Sequence, residues 1–141
     1  MKLIVGIDFG TSTTVVRYKE EGTDVIKPIK DADGVSDIIP SAIFRVDGQN
    51  QTLYGCGALN AKTGGMQGEL ITNFKMGLLD VNPEERRRKE AYIEEFFTYI
   101  YKQFWNQTRG IRYDSMDVYV SVPAKWDTDA REVMKLSLIH I

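Results

Sequence analysis

The stretch that most constrains this chain is its opening, Val5-Gly6-Ile7-Asp8-Phe9-Gly10-Thr11-Ser12-Thr13-Thr14. The apolar run Leu3 to Ile7 reads as a buried strand that delivers Asp8 to its end. Gly10 turns the chain, small hydroxyl residues follow, and Val15-Val16 leads away as a second β-branched run. Residues 2–8 and 13–19 are therefore expected to form a β-hairpin. Successive backbone N–H groups around Gly10-Thr11-Ser12 can make an anion-binding concavity. Gly10 removes the side chain where an oxygen must approach closely. Asp8 would repel a bare phosphate, so the pattern calls for a divalent cation between them, with Asp8 acting on Mg2+ through bound water. The same residues also suit an ordinary hairpin with a solvated tip. A Walker-type loop is excluded, because no Gly-Lys-Ser/Thr follows and a strand comes next.

The remaining chain alternates short strands with three helices. Glu20 to Thr23 is a turn, and Asp24 to Ile29 is expected as a third strand of an antiparallel meander. Asp31 to Asp37 reads as a solvated loop. Its acidic spacing resembles a calcium loop but lacks the helical flanks and the closing glutamate. Pro40 to Val46 and Thr52 to Tyr54 read as strands around an Asp47-Gly48 turn. Gly55 to Lys62 is a short helix, ended by Thr63-Gly64-Gly65, and 66–73 is irregular.

The clearest helix runs from Pro83 to about Thr108, with Asn82 as N-cap and Gly110 as C-cap. Glu84 with Arg88 and Glu85 with Lys89 are its four-apart pairs, and Ile93, Phe96, Phe97, Ile100 and Phe104 form one apolar face. Arg86 to Lys89 points all around the helix and reads as a solvated start, not a nucleic-acid patch. Asp117 to Val122 is a strand with alternating valines, stopped by Pro123, and a last helix begins near Asp129.

Composition narrows the class. With 141 residues the chain makes one modest domain, and a net charge of −2 provides no basic field for nucleic acid or an anionic membrane. The single Cys56 excludes an intramolecular disulfide and fits a reducing compartment. No secretory signal and no membrane-spanning run is visible, so the expectation is a cytoplasmic protein with no membrane partner. The final Leu136-Ser137-Leu138-Ile139-His140-Ile141 breaks off a starting helix and looks like a translated sequencing-adapter end. Residues 137–141 are thus expected to be an artefactual tail on a truncated gene, and His140 has no functional weight.

Gly6-Ile7-Asp8-Phe9-Gly10-Thr11-Ser12-Thr13 resembles the first phosphate motif of the actin-like ATPase superfamily. Asn73 to Leu78 and Val118 to Ala124, followed by Ala130-Arg131, are similar to segments of its DnaK-type heat-shock chaperone branch. Pro40-Ser41 and Tyr54-Gly55 also sit where that family has a Pro-Ser and an aliphatic-Gly pair. These blocks occur in family order from residue 4 to about residue 135.

The resemblance implies an α/β fold of ribonuclease H-like type: a mixed sheet with flanking helices, as the first lobe of an ATP-binding, ATP-hydrolysing chaperone domain. Residues 1–136 would be that partial nucleotide-binding domain, with an inserted α/β subdomain at about 38–115. It implies that Asp8 organises the water shell of Mg2+, that Gly10, Thr11, Ser12 and Thr13 hold ATP or ADP phosphates, and that Lys75 contacts the terminal phosphate and orients water. Pro123 and Arg131 would relay nucleotide state to a peptide-binding domain. Partners of the whole protein would be unfolded client peptides and co-chaperones.

Met76, Lys125-Trp126 and Thr13 depart from the family pattern and mark a divergent member. The second phosphate loop and the adenosine-binding segments are not in this chain, so it is expected to bind ATP weakly or not at all and not to turn it over. A sugar-type kinase or a nucleotide-dependent filament protein of the same superfamily are the alternatives.

Overall fold

A computed structural model describes residues 1–73 and 82–121. The chain is a mixed α/β structure with two sheets and two helices among these residues. Strands β1 (Lys2–Phe9) and β2 (Thr13–Glu20) form the expected hairpin, with Asp8 opposite Val15 and Phe9 opposite Thr14. Strand β8 (Ser115–Ser121) joins the other side of β1 in parallel, pairing Asp8 with Ser121. On the outer edge of β2 lie β3 (Lys27–Pro28) and β4 (Ile38–Pro40), which pair with different parts of it. A second sheet has the order β6-β5-β7, from β5 (Ile43–Val46), β6 (Thr52–Tyr54) and β7 (Gly68–Ile71). The helices are α1 (Cys56–Thr63) and α2 (Pro83–Thr108).

Period-two alternation makes β1 a half-buried strand: Leu3, Val5, Ile7 and Phe9 enter the core. Helix α2 supplies the other side of that core through Ile93, Phe96, Phe97, Ile100 and Phe104. Phe9 packs edge-on against Phe97 with ring centroids 5.0 Å apart, and Tyr18 meets Phe104 at 6.0 Å. Burying one such ring contributes on the order of 2–3 kcal/mol, so this face anchors β1 and the hairpin it carries. Asn82 caps α2, its side chain accepting from the N–H groups of Glu84 and Glu85. A smaller cluster, Ala42, Phe44, Val46, Ala58 and Ala61, joins the second sheet to α1.

Four local expectations are corrected. The third strand shrinks from 24–29 to Lys27–Pro28, because Val25 and Ile26 are exposed and find no core. The strand expected over 40–46 is two strands in two sheets, and the chain crosses between them at Ser41-Ala42. Part of the irregular stretch 66–73 is β7, which pairs with β5. Helix α2 has Arg109, not Gly110, at its C-cap, and its ion pairs are Arg88–Glu85 and Arg86–Glu90. Among the described residues no helix is long and apolar enough to cross a membrane.

Candidate functional site

Because odd-numbered residues of β1 enter the core, Gly6 and Asp8 stand on the opposite face, where both are exposed. Register supplies their neighbours: Gly6 lies between Arg17 and Tyr119, and Asp8 between Val15 and Ser121. The Ser121 hydroxyl donates to Asp8 Oδ1 at 2.9 Å, while Oδ2 has no bond to a described residue. With Ile7 and Val120, these residues line an open concavity of about 540 Å3. It holds one carboxylate, one guanidinium, a phenol and a hydroxyl.

At the end of this concavity the hairpin turns. The Gly10 N–H donates to Thr13 O at 2.8 Å and closes a tip of Thr11 and Ser12. A Cβ on Gly10 would sit 2.6 Å from that oxygen, so the turn requires glycine. Thr11, Ser12 and Thr13 are exposed, whereas Thr14 is buried. Beneath the tip, Ser41 donates its N–H to Ser12 O (2.9 Å) and its hydroxyl to Gly10 O (3.2 Å). The Ser41 and Thr14 hydroxyls are 2.8 Å apart.

The structure thus brings Asp8, Gly10, Thr11, Ser12 and Thr13 together at one end of β1 and β2. Lys75, Pro123 and Arg131 lie outside the described residues. A carboxylate that, among the described residues, stands alone in the concavity with one oxygen engaged suits a cation held through its water shell better than direct chelation. Among the described residues no group of three or more His, Cys, Asp and Glu side chains is placed to hold a metal ion.

Sequence reasoning missed Ser41, Ser121, Arg17 and Tyr119 as members of this site. The alternating valines of β8 do imply that Tyr119 and Ser121 share a face. What the pattern lacks is the parallel register that sets that face beside Gly6 and Asp8.

The loop at 31–37 departs from its expectation as a solvated turn. Asp33 fits it: an exposed carboxylate accepts from the N–H groups of Val35 and Ser36 and from the Ser36 hydroxyl. Those bonds, the hydroxyl first, hold its pKa down at about 2. Asp31 does not fit, being 2 % exposed. It accepts from the N–H groups of Ala32 and Cys56 and from the Tyr99 hydroxyl. Gly55, at the N-cap of α1, has no side chain to offer, so Asp31 caps the helix from outside. Gly55 has φ 59°, and a Cβ there would lie 2.4 Å from Asp31 Oδ2. Burial, and then Asp31, push the Tyr99 phenol well above its ordinary range.

A third polar cluster ties the second sheet to α2. Arg45 grips Glu95 with two bonds, of 2.7 and 3.0 Å, and the Tyr54 hydroxyl donates to Glu95 at 2.7 Å. Arg45 holds the Glu95 carboxyl below its usual range, while burial and then Glu95 raise Tyr54 to about 12. No family model matches the chain, and no curated protein matches it.

Proposed function

We propose that this chain is the N-terminal part of the first lobe of an actin-like, DnaK-type chaperone ATPase, and that the β1–β2 tip is its phosphate cradle. The observation that supports this most directly is the pairing of a glycine-closed tip with an exposed, half-engaged carboxylate at the end of β1. A structural carboxylate has its oxygens occupied, but Asp8 Oδ2 has no bond to a described residue, and Asp8 lines a concavity. In this reading Asp8 holds the water shell of Mg2+, and backbone and hydroxyl groups of Gly10 to Thr13 hold phosphate oxygens. The bound Mg2+ supplies charge neutralisation to phosphoryl transfer, a reaction that needs mainly positioning and electrostatics. Lys75 contributes the contact to the terminal phosphate, and Pro123 and Arg131 relay the nucleotide state to a peptide-binding domain. Clients are unfolded peptides.

The test is Mg2+-dependent ATP hydrolysis by the protein from the complete reading frame that contains these residues, beside the 141-residue chain. The expected result is turnover in the former, lowered about a hundredfold or more by Asp8→Asn and by Lys75→Ala, and none in the latter. Absence of hydrolysis by the whole protein rejects the reading. Turnover that is unchanged in Lys75→Ala rejects the chaperone assignment in favour of a kinase-type member.

A further inference from the structure

Ser41 is 2 % exposed, and among the described residues its N–H and its hydroxyl bond only the hairpin tip or its base. Its N–H goes to Ser12 O and its hydroxyl proton to Gly10 O. A hydroxyl has one proton, so whenever Ser41 donates to Gly10 O the bond between the two hydroxyls is donated by Thr14; by geometry alone either oxygen can be its donor. The two buried hydroxyls then form a directed chain, Thr14 to Ser41 to Gly10 O.

Peptide planarity converts that chain into a statement about the exposed side. In a trans peptide the C=O and the N–H point in opposite directions. Holding the Gly10 carbonyl toward Ser41 turns the Thr11 N–H away from it. Holding the Ser12 carbonyl toward Ser41 does the same to the Thr13 N–H. The N–H groups of Thr11 and Ser12 meet no acceptor among the described residues. An unsupported two-residue tip can rotate its peptides and lose that arrangement. Donors fixed before the ligand arrives bind an anion more tightly than donors that must be ordered by it.

We propose that Ser41, oriented by Thr14, is a positioning residue that locks the tip with its N–H groups outward, ready for a phosphoanhydride oxygen. The inference rests on the phosphate reading above and adds to it the device that sets the cradle's geometry. It also gives the crossing of the chain between the two sheets at Ser41 a purpose: the residue released from β4 is the one that reaches under the tip.

Heteronuclear NMR of the 141-residue chain, with inorganic pyrophosphate and excess Mg2+ as the probe, tests it. The expected result is a saturable downfield shift of the Thr11 amide proton, the tip N–H that is both turned away from Ser41 and without an acceptor among the described residues. In Ser41→Ala the midpoint of that titration rises about tenfold, and the free tip amides already sit at altered positions, while the Leu3 and Val5 amides stay put. Thr14→Val keeps the side-chain shape and loses only the hydroxyl. It moves the midpoint the same way by a smaller factor, and decides the matter if Ser41→Ala does not fold. Wild-type midpoints in the folded variants overturn the role of Ser41 and leave the phosphate reading standing. Tip amides that ignore pyrophosphate in the protein from the complete reading frame as well as in the 141-residue chain overturn both.

Discussion

Asp8 and Asp31 are both aspartates placed next to a turn, and the structure uses them in opposite ways. Asp31 is buried, and its carboxylate is taken up by two backbone N–H groups and a phenol. Asp8 is exposed on a sheet face, with one oxygen on Ser121 and the other without a bond to any described residue. A buried carboxylate must be fully satisfied, because an unpaired charge in the interior costs several kcal/mol. An exposed one is free to keep an oxygen in reserve for a ligand. Saturation, rather than acidity or loop position, separates the carboxylate that builds the fold from the one that has chemistry left over.

The largest expected effect follows directly. Asp31→Ala leaves the Cys56 N–H and the Tyr99 hydroxyl without their acceptor and removes the cap of α1. The loss is about 3 kcal/mol of unfolding free energy, read by denaturant titration. Asp8→Ala changes stability by about 0.5 kcal/mol or less, since Ser121 is exposed and turns to water. The Mg2+-pyrophosphate response of the tip divides the other way: it vanishes in Asp8→Ala and survives in folded Asp31→Ala. Equal destabilisation by the two substitutions breaks the comparison.

The parts of this molecule that were legible in its sequence are those built by short-range periodicity. Leu3, Val5, Ile7 and Phe9 announce β1, and Ile93, Phe96, Phe97, Ile100 and Phe104 announce α2. Asn82-Pro83 marks the start of that helix. Asp8 and Gly10 stood out as candidate site residues because their chemistry and spacing are local. The rest arrives by pairing between distant segments. Ser41 reaches Gly10 from 31 positions away, and Ser121 reaches Asp8 from 113.

Strand β7 has no alternation to betray it. Its Gly68 is required because a Cβ there would lie 2.2 Å from Arg45 O and 2.6 Å from the Phe44 ring. That constraint exists only once β5 is alongside. Asp31 was misjudged for the same reason: nothing near it in sequence shows that Gly55, Cys56 and Tyr99 close over it.

Glu95 falls between the two aspartates and sharpens the scale. It is saturated by Arg45 and Tyr54 but only half-buried, so water screens part of what it contributes. Glu95→Gln is expected to cost about 1–2 kcal/mol at neutral pH. The pH dependence has a definite sign. Arg45 lowers the Glu95 pKa in the folded chain, so the stability it adds is present above the ordinary carboxylate value and is lost as pH falls through the folded one. Tyr54 is raised from 10.0 to about 12, so its contribution is complete below 10.0 and lost as pH rises through about 12. Unfolding curves across pH should show wild type and Glu95→Gln converging on the acid side. A constant gap between them down to the lowest pH at which both fold removes Glu95 from the list of working carboxylates.

Asp33 gives the smallest effect, because it is saturated like Asp31 yet fully exposed like a loop residue. Its bonds to Ser36 and Val35 favour the ionised form, and hold its pKa at about 2 against 3.8 in an unstructured chain. Stability from this turn is therefore present above 3.8 and fades as pH falls through about 2. Asp33→Asn keeps an acceptor oxygen for the N–H groups and forfeits the charge, so at neutral pH it leaves the fold and the tip response intact. The carboxyl-carbon chemical shift of Asp33 followed through an acid titration reads the turn directly. A midpoint near 2 shows that hydrogen bonds alone, without burial, hold a carboxylate in its ionised form. A midpoint near 3.8 shows an open turn, and then saturation without burial does not identify a structural carboxylate.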